Sequence, residues 1–188
     1  TSADIDRPAV YPSAAEIDTT LSALASNHSG ICITENVGTS AEGRPVTALV
    51  ITDNPGICEG EPSVRLAGAI HGNEFLSCEL LLRYAEYLLD GYPSDTAVKE
   101  LVEGRVITII PLLNPDGWQR GSRYNANGVD LNRNFGDHWT DEAGHGDEAF
   151  SEVESRSIRD YCLNRVFHLS ATFHTGAVVV NMPFDWAT

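Results

Sequence analysis

The chain has 188 residues, of which 42% are hydrophobic and 21% are charged, and this composition is typical of a folded globular protein. Twelve basic residues against 27 acidic residues give a formal net charge of −15 at pH 7, which disfavours binding to nucleic acids and to anionic lipid. No apolar run approaches the roughly 20 residues that span a bilayer, so membrane insertion is not expected either.

The first part of the chain predicts a helix followed by a β-hairpin. Ser13 and Glu16 have the spacing of a capping box, which predicts a helix from there to about Asn27. The β-rich segments 31–37 and 45–52 flank a turn of small and polar residues, and this arrangement predicts two paired strands.

The next segment predicts a strand that leads into a long helix. The compact apolar segment 64–70 predicts a strand that ends directly at His71. On the helix that follows, four large side chains recur at every fourth position and predict one face: Leu76, Leu80, Tyr84 and Leu88. Asp90 and Gly91 are a stop signal for this helix.

The middle of the chain predicts a short helix, a buried strand and a long loop. We expect the helix near 95–102 and the strand at 105–113, whose β-branched run is typical of a strand buried on both faces. The segment 114–147 is rich in Gly, Asn and Asp and is predicted to be a loop, in which 114–117 forms a turn.

The last part of the chain predicts one more helix and two more strands. Ser151 and Glu154 repeat the capping-box spacing and predict a helix to about Arg165, and strands are expected at 166–172 and 178–182. Strands that alternate with helices predict an α/β fold with a mixed parallel/antiparallel sheet flanked by helices on both faces. In such sheets ligands bind where strands lead into loops.

Two of these strand ends carry the side chains of a metal site. His71 and Glu74 follow one predicted strand, and His174 ends another much later in the chain. Two imidazoles and one carboxylate are the ligands of a catalytic zinc ion that keeps a fourth position for water. Each pattern alone is weak, because His-x-x-Glu pairs and single buried histidines are common without a metal.

A third segment offers an amide, a guanidinium and a carboxylate close together, at Asn132, Arg133 and Asp130. A fixed guanidinium can bind a carboxylate through two parallel charge-assisted hydrogen bonds, which lysine cannot reproduce. The sequence therefore predicts an enzyme that activates water and binds an anionic substrate end.

Four segments together closely resemble the zinc metallocarboxypeptidase family, nearer to its carboxypeptidase N/E and D branch than to the pancreatic one. The segments are His-Gly-Asn-Glu at 71–74, Leu-Asn-Pro-Asp-Gly at 113–117, Asn-Ala-Asn-Gly-Val-Asp-Leu-Asn-Arg-Asn-Phe at 125–135, and the segment from His174 to Asp185. The resemblance implies a peptidase that removes the C-terminal residue of peptides or proteins with the help of one zinc ion.

The resemblance also assigns roles around the metal. It implies that His71, Glu74 and His174 are the zinc ligands, and that Asp130 orients His71 through the second ring nitrogen. Arg123 matches the arginine that polarises the scissile carbonyl and stabilises its oxyanion. The nearby Arg120 is a competing candidate for that role.

For the substrate, the resemblance implies that Asn132 and Arg133 hold the terminal carboxylate. Asp185 matches an acid that favours Lys or Arg as the released residue, although an ordinary carboxylate at a strand end fits the sequence as well. The residues alone leave two alternatives open: a zinc amidohydrolase that cuts cell-wall peptides, and a non-catalytic peptide-binding remnant.

The family pattern continues past Thr188, where a general-base glutamate and a tyrosine that closes over the substrate are expected. We therefore interpret residues 1–188 as a single, C-terminally incomplete catalytic domain that hydrolyses peptides poorly by itself. An extracytoplasmic location is expected, because the cysteine count is even and the chain does not open with Met. Cys32 and Cys58 are candidates for a disulfide.

Overall fold

The computed structural model describes residues 10–57, 59–137, 139 and 143–182, and within them five strands form one sheet. The strands are β1 Cys32–Thr39, β2 Pro45–Ile51, β3 Ser63–Ala67, β4 Val106–Ile110 and β5 Leu169–Thr172, in the order β1-β2-β4-β3-β5. The pairs β1–β2 and β2–β4 are antiparallel, whereas β4–β3 and β3–β5 are parallel. The predicted mixed sheet is confirmed.

Helices pack on both faces of this sheet. They are α1 Ala14–Asn27, α2 Phe75–Gly91, α3 Thr96–Glu103, α4 Pro115–Arg120 and α5 Val153–Leu163. Along β2, Leu49 and Ile51 contribute to a core with the first four helices, whereas Val46 and Ala48 contribute to a second core with α5. This alternation follows from the two-residue period of a strand, which sends successive side chains to opposite faces. No described helix is long and apolar enough to cross a membrane.

The capping box predicted at the first helix is present. The backbone N–H of Glu16 donates to the Ser13 hydroxyl at 3.3 Å, and the backbone N–H of Ser13 donates to the Glu16 carboxylate at 2.7 Å. Both interactions satisfy donors that a helix N-terminus otherwise leaves free.

The four residues predicted to share one face of α2 are not equally buried. Leu76 and Leu80 are 61% and 49% exposed, and the side chains buried on this helix include Leu81, Leu82 and Leu88. The spacing of large residues predicted a helix correctly, but α2 carries apolar residues on more than one face. Packing of α2 against the sheet buries the face of the helix that carries Cys78, Leu81 and Leu88.

The capping box predicted at Ser151 is also wrong. The N-cap of α5 is Glu152, and its side chain makes no capping hydrogen bond. Ser151 donates to the Glu152 carboxylate at 2.8 Å, while Glu154 accepts a hydrogen bond from the backbone N–H of Ala41 at 3.0 Å. Ser151 is therefore paired with an adjacent residue and Glu154 with a residue far away in the sequence, instead of with each other.

Other predicted elements also differ from those in the structure. The strand predicted at 64–70 ends at Ala67, and the predicted loop 114–147 contains α4 and a 3-10 turn at Leu131–Arg133. The segment 178–182 is not a strand, and Val178 and Val180 are exposed. A strand requires a hydrogen-bonded neighbour, and none of the described residues pairs with this segment.

Candidate metal centre and carboxylate-binding turn

The parallel pairing of β3 with β5 brings the two predicted metal-binding segments together. Ala67 at the end of β3 is paired with Thr172 at the end of β5, and each strand leads into a histidine. Ala69 has a φ of 46°, which is uncommon for a residue other than glycine, in the turn that leads from β3 to His71. As a result, the rings of His71 and His174 lie 4.9 Å apart between centroids although 103 positions separate them.

Glu74 joins the two histidines. One carboxylate oxygen lies 2.8 Å from His71 Nδ1, and the other lies 3.0 Å from His174 Nδ1 and accepts a hydrogen bond from the backbone N–H of Thr175. Burial opposes ionisation of Glu74, but hydrogen bonds with His174 and His71 outweigh it and lower the pKa of Glu74 to about 2. The group is therefore ionised at neutral pH, as a metal ligand must be.

The three side chains fit a zinc ion. Their candidate ligand atoms all lie within 4.8 Å of one another, and the two Nδ1 atoms are 3.2 Å apart. In a tetrahedral zinc site with bonds of about 2.0–2.1 Å, two ligand atoms are separated by about 3.3 Å. Two imidazole nitrogens and one carboxylate, arranged in this way, match the ligand set of catalytic zinc.

Asp130 holds His71 from the side away from this centre. Its Oδ1 lies 3.1 Å from His71 Nε2, which directs Nδ1 towards Glu74 and His174. Its Oδ2 accepts a hydrogen bond from Arg123 Nε at 2.8 Å. Burial opposes ionisation of Asp130, but the contacts with His71 and Arg123 outweigh it and lower its pKa.

The structure separates the two candidate arginines. Arg123 Nη1 lies 3.3 Å from His71 Nδ1 and 4.0 Å from Glu74 Oε1, so its guanidinium borders the metal centre. Arg120 instead pairs with Glu42 and donates to the carbonyl of Ala126 at 3.3 Å. Of these two residues, only Arg123 borders the candidate metal ligands.

The predicted carboxylate-binding residues, Asn132 and Arg133, lie on the 3-10 turn Leu131–Arg133, which follows Asp130 and is called the carboxylate-binding turn below. The backbone N–H of Asn132 donates to Asp130 Oδ1 at 3.0 Å, so the carboxylate that holds His71 also caps this turn. The side chain of Asn132 is exposed and that of Arg133 is partly exposed. Asp185, predicted to select a basic residue, lies outside the described residues.

The motif at 114–117 has a role that its interpretation as a turn missed. Asn114 is the N-cap of α4; its side chain accepts from the backbone N–H of Gly117 at 2.9 Å and donates to the Ile70 carbonyl at 3.2 Å. A Cβ on Gly72, between the metal ligands, would lie 2.0 Å from the carbonyl carbon of Gly117. The absence of a side chain at Gly72 thus lets α4 contact the metal-binding loop directly. Asn-Pro, which is typical of an N-cap and N1 pair, was the available signal.

Comparison with known proteins places these features in context. Residues 17–188 match the sequence profile described as zinc carboxypeptidase. The chain is 39% identical over 150 residues to carboxypeptidase SOL1 of Arabidopsis thaliana, covering 80% of this chain and 30% of that protein. It is 35% identical over 172 residues to human carboxypeptidase D, covering 86% of this chain and 12% of that protein. The chain therefore spans less than a third of the length of either relative.

A solved structure gives the same fold. The crystal structure of carboxypeptidase A from Helicoverpa armigera superposes with a TM-score of 0.77 at 28% sequence identity. The match covers 89% of this chain and 46% of that one.

Proposed function

This chain belongs to the zinc carboxypeptidase family, and we propose that it forms the metal centre and carboxylate-binding turn of an exopeptidase that hydrolyses the C-terminal peptide bond. The family that the motifs resembled is thereby confirmed. The observation that carries the proposal is the convergence of His71, Glu74 and His174 beside the guanidinium of Arg123. The presence of one zinc ion is part of the same proposal.

The roles of the side chains follow from their positions. Zinc held by His71, Glu74 and His174 supplies Lewis-acid activation of water and of the scissile carbonyl. Arg123, anchored by Asp130, donates hydrogen bonds to the carbonyl oxygen as negative charge develops there, an effect worth about 3 kcal/mol for a comparable donor.

The carboxylate-binding turn explains why the enzyme would act at chain ends. Asn132 and Arg133 offer an amide and a guanidinium beyond Asp130, and a free C-terminal carboxylate is the group that a guanidinium binds best. An internal peptide bond presents no such charge. We therefore propose that substrates are peptides or proteins with a free C-terminus.

The finer parts of the assignment are further proposals. Preference for a released Lys or Arg is supported by the acidic surface and by the match of Asp185. The general-base glutamate expected beyond residue 188 stays a prediction, as does the extracytoplasmic location. Cys32, one of the two candidates for a disulfide, is a buried free thiol in the structure, and Cys58 lies outside the described residues.

The test is hydrolysis, by the full-length product, of peptides that end in Lys, Arg or Phe. Each peptide is supplied as the free acid and as the C-terminal amide, and the products are identified by mass spectrometry. We expect release of one residue from the free acids, no reaction of the amides, loss of activity with a chelator and recovery with zinc. Cleavage of muropeptides alone would support the cell-wall amidohydrolase, and peptide binding without cleavage would support the non-catalytic module. Either result contradicts the proposal.

A further inference from the structure

A buried carboxylate outside the metal centre connects the two segments that carry the functional arginines. Glu152, at the N-cap of α5, is only 5% exposed. Its Oε2 accepts hydrogen bonds at 2.7 Å from the side-chain amides of both Asn125 and Asn127, and its Oε1 accepts one from the Ser151 hydroxyl at 2.8 Å. Burial opposes ionisation, but the hydrogen bonds from Asn125, Asn127 and Ser151 lower the pKa of Glu152.

On one side, Glu152 fixes the segment between Arg123 and Asp130. Asn125, which it holds, accepts hydrogen bonds on its own side-chain oxygen from the backbone N–H groups of Asn127 at 3.1 Å and Val129 at 3.0 Å. The backbone N–H of Asn125 also donates to the carbonyl of Val129 at 3.0 Å. Asn125 therefore closes a turn whose two ends lead to the residues that contact His71.

On the other side, Glu152 reaches the carboxylate-binding turn through Asn134, which has no exposed surface. The backbone N–H of Glu152 donates to Asn134 Oδ1 at 3.1 Å. The amide of Asn134 donates to the carbonyls of His145 at 2.7 Å and Glu148 at 3.2 Å and to the Ser151 hydroxyl at 2.9 Å. Asn134 directly follows Arg133, so these bonds fix the end of the turn that presents the guanidinium.

Neighbouring Glu154 provides a comparison. It is equally buried and lies on the same helix, but its 3.0 Å hydrogen bond comes from the backbone of Ala41 in the β1–β2 turn. The Asn125 amide donates to Glu154 at 3.3 Å, and within the described residues Glu154 makes no hydrogen bond with Asn134. Glu154 thus shares the burial of Glu152 without the same connection to both arginine-bearing segments.

We propose that the Glu152 carboxylate is a positioning group, which sets Arg123 and Arg133 relative to each other. It acts through Asn125 on one side and, by way of the Ser151 hydroxyl, through Asn134 on the other. The inference rests on the proposed function, because it assigns the two arginines to the carbonyl and to the terminal carboxylate of one substrate. Displacing a catalytic or substrate-binding group by about 1 Å can lower the reaction rate about 100-fold. The position of Arg123 relative to Arg133 should therefore affect the activity.

The experiment measures how strongly the zinc-loaded protein prefers a free C-terminus. The probe is a reduced-amide pseudopeptide ending in arginine, which cannot be hydrolysed, and the same compound ending in argininamide; binding of both is measured by calorimetry. The readout is the ratio of the two dissociation constants, amide over acid. A general loss of stability changes both constants together and leaves this ratio unmoved.

We expect Glu152→Ala to lower the ratio by about 10-fold or more. The variant keeps the backbone bond to Asn134 but loses the side-chain bonds with Asn125 and Ser151, so Arg133 is no longer held in place relative to Arg123. Glu152→Gln should keep the ratio close to that of the wild type, since its side-chain oxygen can accept from both asparagines and its amide can donate to Ser151. Glu154→Ala, the matched control, should also keep it. Zinc stoichiometry is measured for every variant.

Should Glu152→Ala not fold, Glu152→Asp replaces it; this change keeps the charge but shortens the reach, and the ratio should again fall. An unchanged ratio in the folded Ala or Asp variant overturns the inference, as does an equal fall in Glu154→Ala. If the wild-type protein itself shows no preference for the acid, the carboxylate-binding role of Arg133 fails instead, and with it the proposed function.

Discussion

His71 is held between two carboxylates, Glu74 at Nδ1 and Asp130 at Nε2. Burial lowers the pKa of its imidazole, but the hydrogen bonds with Asp130 and Glu74 outweigh burial, so the net effect is a raised pKa. A zinc ion therefore competes with a proton for this ring. The same two carboxylates that attract the proton also orient the ring for a cation.

Arg133→Lys tests the carboxylate-binding turn at the level of one side chain. Lysine keeps the positive charge but cannot form two parallel hydrogen bonds with a carboxylate, so we expect a loss of about 2 kcal/mol, or roughly 30-fold in the dissociation constant of a peptide acid. Binding of the matching peptide amide should hardly change. Equal binding of the acid by the variant and the wild type, measured by calorimetry, contradicts the role assigned to Arg133.

Glu154 predicts a specific dependence of stability on pH. Burial raises the pKa of this carboxyl above its ordinary value of 4.5, although hydrogen bonds, chiefly from the Ala41 backbone, oppose the shift. A carboxyl with a raised pKa contributes stability that is fully present below about pH 4.5 and is lost as the pH rises through the folded-state value.

The change that tests this dependence is Glu154→Gln, which cannot ionise. The free energy of unfolding of the wild type, relative to that of Glu154→Gln, should therefore decrease between pH 4 and pH 7. Urea denaturation of both proteins at several pH values measures it. A difference that stays constant or increases with pH would falsify the assignment of Glu154 as a carboxyl destabilised by burial.

At the scale of elements, α2 shows that the spacing of large residues can predict a helix without indicating which of its residues are buried. Leu81 is 1% exposed and packs in the core, whereas Leu80 is 49% exposed. We expect Leu81→Ala to lower the free energy of unfolding by about 3 kcal/mol, as buried leucine truncations do. Leu80→Ala, on the same helix, should cost less than about 1 kcal/mol. Equal costs in chemical denaturation, or a larger cost at Leu80, contradict the observed rotation of α2.

The elements themselves could be predicted well from local patterns, and their ends less well. The capping box at Ser13, the hairpin and the β-branched run of β4 are local features, and the structure contains each of them. The failures at Ser151 and at 178–182 have a different cause. Glu154 is paired with Ala41 from another element, and a strand depends on a partner that the segment itself does not specify.

At the scale of the whole molecule, the metal centre exists because β3 and β5 are neighbours in the sheet. The motifs predicted which residues meet, but no sequence pattern indicated directly that these two strands are adjacent. The roles of Glu152 and Asn134 in linking segments were likewise not predicted, because buried polar residues that link segments have no local sequence pattern. Their partners become visible only once the chain is folded.

Zinc binding is the measurement that tests the central claim most directly. The metal-free protein is titrated with Zn²⁺, and the ligands are identified by X-ray absorption. We predict one ion per chain, bound through two imidazole nitrogens and a carboxylate. The affinity for zinc should fall by more than about 100-fold in His174→Ala, which exceeds the fall expected when only a hydrogen-bond partner of a metal ligand is lost. The affinity should stay unchanged in the remote His28→Ala. Absence of zinc binding, or equal binding by His174→Ala, would contradict the account.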